Sequence, residues 1–141
     1  MYGHIRFFEH FTKQYITNFF KFADYIELND NVLSLLFERL DIKTAEDFFE
    51  MLDLEFLVIT KGKKGAEFLY RENGNIISIS KEPNVIINSV DTSGAGDAFF
   101  STLLKEYAYT KTINKNFIDK AFSLANQASR NILMQFGSRK V

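Results

Sequence analysis

The chain has no cysteine, so disulfide stapling, thiolate nucleophiles and cysteine-ligated metals are excluded at once. It has only two histidines, His4 and His10, at a spacing that does not place them on one helical face, which favours surface or packing roles over a shared metal. No apolar run reaches membrane-spanning length, and Met1 to His10 lack both a basic leading region and an uninterrupted apolar stretch. Neither sign of charge dominates: 17 Lys and Arg face 18 Asp and Glu without long runs, which leaves no electrostatic footprint for nucleic acid or an anionic membrane. These absences point to a cytoplasmic protein whose partners are small neutral or anionic molecules.

What is present is apolar mass. Hydrophobic residues make up 46% of 141 positions and include 16 Phe, enough for a sizeable core, and no repeat, low-complexity tract or linker divides the chain, so a single domain over residues 1–141 is expected. Phe8, Phe11, Tyr15, Phe19 and Phe22 recur at three- and four-residue steps, which predicts a helix with that stripe inward. Tyr25-Ile26-Glu27-Leu28 reads as a short strand, and Asn29 or Asp30 can cap a helix burying Leu33, Leu36 and Leu40. Thr44 and Asp47 have capping-box spacing ahead of a short helix with Ala45, Phe48, Phe49 and Leu52 inward.

Phe56-Leu57-Val58-Ile59, ending at Thr60, is the continuous apolar run of a strand covered on both faces. After the turn Gly62-Lys63-Lys64-Gly65, the segments Ala66 to Arg71 and Ile76 to Ser80 flank Asn73-Gly74, a strong hairpin signal. Beyond Pro83, the only proline, the strand-like Val85-Ile86-Ile87 leads to a glycine-bearing turn. A helix follows with Phe99, Phe100, Leu103, Leu104 and Tyr107 inward, and then a last helix with Ile118, Ala121, Ala125, Ala128 and Ile132. Helices and strands in alternation predict an α/β layered fold.

Chemistry concentrates in Asp91-Thr92-Ser93-Gly94-Ala95-Gly96-Asp97. A Gly-rich turn between a strand and a helix start exposes unpaired backbone N–H groups at the positive end of the helix dipole, which suits an anion such as phosphate. Asp97 stands at the rim, where a carboxylate could accept a proton from an attacking hydroxyl. On physics alone a capped turn with no ligand fits these residues equally well. The sequence contains neither the P-loop pattern nor the Gly-x-Gly-x-x-Gly dinucleotide fingerprint.

The string from Asp91 through Ala98-Phe99 resembles the signature of the ribokinase (PfkB) carbohydrate kinase family. The resemblance extends to Thr60-Lys61-Gly62-Lys63-Lys64-Gly65, similar to that family's nucleotide turn, to Asn29 after a strand, and to Ala125-Asn126 and Gly137. It implies a ribokinase-like layered fold with a mostly parallel central sheet. It also implies phosphoryl transfer from ATP to a sugar hydroxyl. Asp97 would be the catalytic base, with Gly94, Ala95 and Gly96 as the anion hole. Asn29, Thr60, Lys61, Gly62, Gly65 and Asn126 would border the nucleotide. Asp91 and Ser93 match positions that hold a monovalent cation, K+, in many relatives, and Mg2+ is expected as the partner of ATP. The chain departs from the family at Val32, where relatives carry a Glu that organises the metal and its waters. Asp30, the adjacent carboxylate, is the candidate substitute, against which stands that a neighbouring residue at a helix start points in a different direction.

The resemblance covers the carboxy-terminal part of the family's pattern. The amino-terminal part, with the sugar-recognising residues and the lid, has no counterpart here, and Arg6 keeps only an echo of its usual context. The sequence therefore reads as a fragment or short form of a sugar kinase, truncated on its N-terminal side. A non-catalytic nucleotide-binding module and a structural remnant are the alternatives. Its incomplete sheet would favour self-association into a homo-oligomer.

Overall fold

A computed structural model of the chain describes residues 12–82 and 95–138, with side chains for 12–82 and 98–132. It divides into two compact units, Met1–Glu82 and Pro83–Val141. Among the described residues the first begins with helix α1 (Lys13–Phe20), where the Thr12 hydroxyl accepts the Tyr15 N–H at 3.2 Å and so satisfies a first-turn donor that has no acceptor within the helix. Strand β1 (Tyr25–Asn29) runs straight into helix α2 (Asp30–Leu40). Asn29 is the last residue of the strand and also the helix cap, its side-chain oxygen accepting the Val32 N–H at 2.8 Å. Helix α2 buries Val32, Leu33, Leu36 and Leu40 along one stripe and ends at Asp41, whose left-handed backbone (φ 56°) returns its own N–H and that of Ile42 to the Phe37 carbonyl.

Helix α3 (Ala45–Met51) starts from the capping box its sequence predicts: the Thr44 hydroxyl accepts the Asp47 N–H at 3.0 Å and the Asp47 carboxylate accepts the Thr44 N–H at 3.1 Å. Strands β2 (Phe56–Thr60), β3 (Ala66–Glu72) and β4 (Asn75–Lys81) complete a sheet ordered β1-β2-β3-β4. The β1–β2 pairing is parallel and the other two are antiparallel, so the described sheet is mixed. Parallel neighbours need a crossover, which α2 and α3 supply. The β3–β4 hairpin turns at Asn73 and Gly74, both at positive φ (52° and 80°), as a two-residue primed turn requires.

One face of the sheet presents Ile26, Leu28, Leu57, Ile59 and Leu69 to Ile16, Phe20, Val32, Leu36, Phe48 and Phe49 of the three helices, and this is the core of the unit. Each such side chain withdrawn from water contributes roughly 1.5–3 kcal/mol. The opposite face carries Tyr25, Glu27, Phe56, Val58, Phe68 and Tyr70, also buried, which is why β1 and β2 read as apolar almost without alternation. Tyr25 meets Phe56 at 5.0 Å and Phe56 meets Phe68 at 5.9 Å between ring centroids. Burial, reinforced by the charge of Glu27, pushes the Tyr25 phenol far above its usual range.

Of the aromatic stripe expected to face the core through α1, Phe19 packs partly buried against it, whereas Tyr15 and Phe22 do not. Ile16 and Phe20 are fully buried, whereas Tyr15 is 48% and Phe22 88% exposed. Tyr15, Phe19, Ile16 and Phe20 fan across about 140° of helix α1, and the Ile16–Phe20 edge of that sector is the one buried; Phe22 lies past the helix end, where the helical period no longer holds. Phe8 and Phe11 lie outside the described residues.

The second unit contains helices α4 (Ala95–Thr110) and α5 (Lys115–Ser138). They run antiparallel, Phe99 against Phe122 at 5.9 Å and Tyr107 against Phe117 at 6.4 Å. Lys111, at φ 52°, ends α4 by returning its N–H to the Tyr107 carbonyl, and the Asn114 side chain caps α5 by accepting the Phe117 N–H at 2.8 Å. Phe99, Leu103, Ile118, Ala121 and Ala125 are buried as their spacing predicts, but Leu104 is 41% exposed. Ala128 and Ile132, also expected inward, are half-buried. The expected strand Val85-Ile86-Ile87 lies outside the described residues. Among the described residues no helix is long and apolar enough to cross a membrane.

Candidate functional site

The pairing of the parallel strands puts Asn29, the last residue of β1, opposite Thr60, the last residue of β2. Both stand at carboxyl ends of parallel strands, the place where open α/β sheets receive ligands. Asn29 is held there by its bond to the Val32 N–H, which occupies its oxygen and leaves its amide nitrogen as donor.

From Thr60 the chain enters a single 3₁₀ turn over Gly62–Lys64. The Lys61 N–H donates to the Gly65 carbonyl at 2.8 Å, the Lys64 N–H to Lys61 and the Gly65 N–H to Gly62, both at 3.1 Å, so the loop is closed on itself. Its two glycines are glycine for different reasons. Gly62, at φ 58°, has open space where a side chain would go; Gly65, at φ 95°, lies so close to β4 that a Cβ would fall 1.8 Å from the Lys81 carbonyl oxygen.

The Lys61 ammonium is paired with the Glu67 carboxylate at 2.9 Å, and the other Glu67 oxygen accepts the Ser78 hydroxyl at 2.9 Å. This pair borders a crevice of about 320 Å³ that Asp30, Leu33, Phe37, Ala45 and Ile59 also line. Lys63 and Lys64 are exposed and have no ion pair among the described residues. Val32 is fully buried in the helix-side core, so position 32 offers nothing to a metal. Among the described residues no three His, Asp or Glu side chains are grouped to hold an ion.

In the second unit, Ala95, Gly96 and Asp97 are the first three residues of α4. Their N–H groups belong to the first turn, where the helix supplies no acceptor. Asn126 lies on α5, half-buried, next to the buried Ala125. Asp91, Ser93 and Gly94 lie outside the described residues. The candidate residues thus fall into two groups: Asn29, Thr60, Lys61, Gly62 and Gly65 at one end of β1 and β2, and Ala95, Gly96, Asp97 and Asn126 on the helix pair.

Sequence reasoning missed Glu67 and Ser78. The Asn73-Gly74 turn alone fixes the register that pairs Glu67 with Ser80 and leaves Ser78 one step diagonal, so that bond was within reach. The Lys61 partner depends on the 3₁₀ turn, which no spacing announces.

The sequence model of a family described as pfkB family carbohydrate kinase matches residues 6–140. Over 119 residues the chain is 30% identical to fructokinase-2 of Oryza sativa subsp. japonica, a match covering 79% of this chain and 32% of that protein. The chain thus spans about a third of the length of the curated relatives it matches. Among solved structures, the ligand-free nucleoside kinase of Burkholderia thailandensis superposes with a TM-score of 0.66 at 23% identity, over 84% of this chain and 35% of that one. The fructokinase of Vibrio cholerae, a double mutant with fructose, ADP and potassium ion bound, superposes with a TM-score of 0.58 at 22% identity, over 81% and 36%.

Proposed function

The chain belongs to the pfkB family of carbohydrate kinases, and from that membership we propose that the protein passes the γ-phosphoryl group of ATP to a sugar hydroxyl, this chain supplying the nucleotide side and the base. The observation that carries the proposal is that helix α4 opens inside the string Gly94-Ala95-Gly96-Asp97. Phosphoryl transfer asks the protein for positioning and charge stabilisation more than for covalent chemistry. The first-turn N–H groups of Ala95, Gly96 and Asp97 are donors for phosphate oxygens, and the small residues let the anion approach the backbone. Asp97 takes the proton of the attacking hydroxyl as its oxygen bonds to phosphorus and the bond to the leaving ADP oxygen breaks.

Asn29, Thr60, Lys61, Gly62, Gly65 and Asn126 border the nucleotide in this proposal, and Asp91 and Ser93 hold a monovalent cation, K+ being the ion to test. Mg2+, as the partner of ATP, would supply positive charge that offsets that of the phosphates during transfer. Val32, buried in the core, does not fit a role toward that ion; Asp30, exposed at the start of α2, is the carboxylate that this helix would offer. Fructose is the acceptor to test first, since the curated relatives are named fructokinases. A second reading, nucleotide binding without turnover, is favoured by the same buried Val32.

The test is thermal unfolding of the purified chain with and without Mg-ATP, together with transfer of labelled phosphate to fructose. Mg-ATP at a hundred times its Kd should stabilise the fold by about 2.7 kcal/mol. Asp97→Asn should keep that stabilisation while abolishing any transfer. A folded chain with no Mg-ATP-dependent shift sinks the nucleotide assignment, and unchanged transfer by Asp97→Asn sinks the base. Stabilisation without transfer by the unmutated chain supports the second reading.

A further inference from the structure

We propose that Glu67 is a positioning residue for the 60–65 turn: anchored by Ser78 and gripping Lys61, it holds the turn in the shape that meets a nucleotide. The proposal rests on the reading of that turn as the nucleotide border. Both carboxylate oxygens of Glu67 are engaged, one by the Lys61 ammonium and one by the Ser78 hydroxyl, each at 2.9 Å. Three segments are thereby joined: the turn after β2, strand β3 and strand β4. The backbone closes the turn through the Lys61 N–H and the Gly65 carbonyl at 2.8 Å. The ion pair closes it a second time, from the same Lys61 to a residue two beyond Gly65.

The side chains of Lys61 and Glu67 are only 34% and 20% exposed, so solvent and salt screen this pair less than a fully exposed one. Lys61 shares a crevice with Leu33 and Phe37 of α2. Its charge is therefore already neutralised, while Lys63 and Lys64 remain exposed. Lys61 accordingly serves the nucleotide through the shape of the turn and not through its charge. The competing arrangement, in which Lys61 is a phosphate-binding cation held back by Glu67, gives the opposite response to removing Glu67: the freed ammonium would bind phosphate more tightly.

The experiment measures Mg-ATP affinity by calorimetry for the unmutated chain, Glu67→Gln, Lys61→Met and the double variant, with amide hydrogen exchange followed over residues 61–65. Salt of about 0.3 M screens the general effect of removing one negative charge near a polyanion. Glu67→Gln and Lys61→Met should each weaken binding roughly five-fold, as expected for one partly buried charge-assisted bond. The double variant should be no weaker than the weaker single, and exchange in the turn should quicken while α3 is unchanged. Lys61→Arg, which keeps the pair, should restore affinity. Tighter binding by Glu67→Gln, additive losses in the double variant, or unaltered exchange in the turn would each overturn the proposal. An unmutated chain that gives no saturable heat with Mg-ATP overturns the nucleotide reading itself, an outcome distinct from a chain that binds equally well with and without Glu67.

Discussion

Replacing Gly65 by alanine puts a methyl group where the main chain of β4 already stands. The added Cβ would lie 1.8 Å from the Lys81 carbonyl oxygen, 2.8 Å from its carbon and 2.9 Å from the Glu82 Cα. An ordinary carbon–oxygen contact is about 3.3 Å, so the end of β4 would have to retreat by about 1.5 Å and strain its ladder to Ala66. None of these neighbours is a side-chain tip that could swing away. The backbone at Gly65, φ 95° and ψ −134°, lies in territory that costs other residues about 1–3 kcal/mol, and the displaced strand adds about 1–3 kcal/mol. Gly62→Ala provides the control, since its φ of 58° carries only the left-handed penalty of about 1–2 kcal/mol and open space surrounds it. Urea unfolding followed by circular dichroism should show a clearly lower midpoint for Gly65→Ala. With a slope of about 2 kcal/mol per molar, a loss of about 3 kcal/mol moves the midpoint by about 1.5 M. Equal midpoints for the two variants would refute the claim that Gly65 is demanded by the close approach of β4.

Two further outcomes follow from the helix ends. Asp41→Gly should raise stability by about 1 kcal/mol, because a left-handed cap residue with a side chain gives way to one without that penalty; a lower urea midpoint would contradict this. Asp47 accepts the Lys43 and Thr44 N–H groups, and these bonds, that from Lys43 foremost, hold its carboxyl below its usual value of 3.8. A depressed folded-state value means that this contribution is fully present above about pH 4 and fades as pH falls through the lowered value. The stability gap between the unmutated chain and Asp47→Ala should therefore narrow on acidification below pH 4, and a gap independent of pH would exclude the charged cap.

Periodicity and cap chemistry made much of the first unit legible before any coordinates. Thr44 and Asp47 announced α3, Asn73-Gly74 announced the hairpin, and Leu33, Leu36 and Leu40 announced the buried side of α2, because each signal is local and its partners lie within a few residues. Tyr15 and Phe22 misled, while Phe19 packs partly against the core, because a helix with apolar residues on adjacent faces leaves its orientation to tertiary packing, which centred the buried side on Ile16 and Phe20. At the site, the motif identified which residues to examine, and the parallel pairing made neighbours of Asn29 and Thr60. The Glu67 grip on Lys61 could not be read because it joins a turn to a strand through geometry that neither segment encodes alone.

The mixed sheet also orders the assembly of the site in time. The β3–β4 hairpin closes across two residues, and β2 joins β3 across the short turn that carries Gly62 and Gly65; contacts this local form on the scale of microseconds. The β1–β2 pairing must instead enclose residues 30–55, with α2 and α3 folded between, and so bears a larger loop-closure entropy before it returns any contact. The glycine turn can thus take shape on an antiparallel meander alone, whereas the juxtaposition of Asn29 with Thr60 waits for the crossover. Destabilising α2 would delay this step selectively, yielding chains that possess the turn and not yet its neighbour.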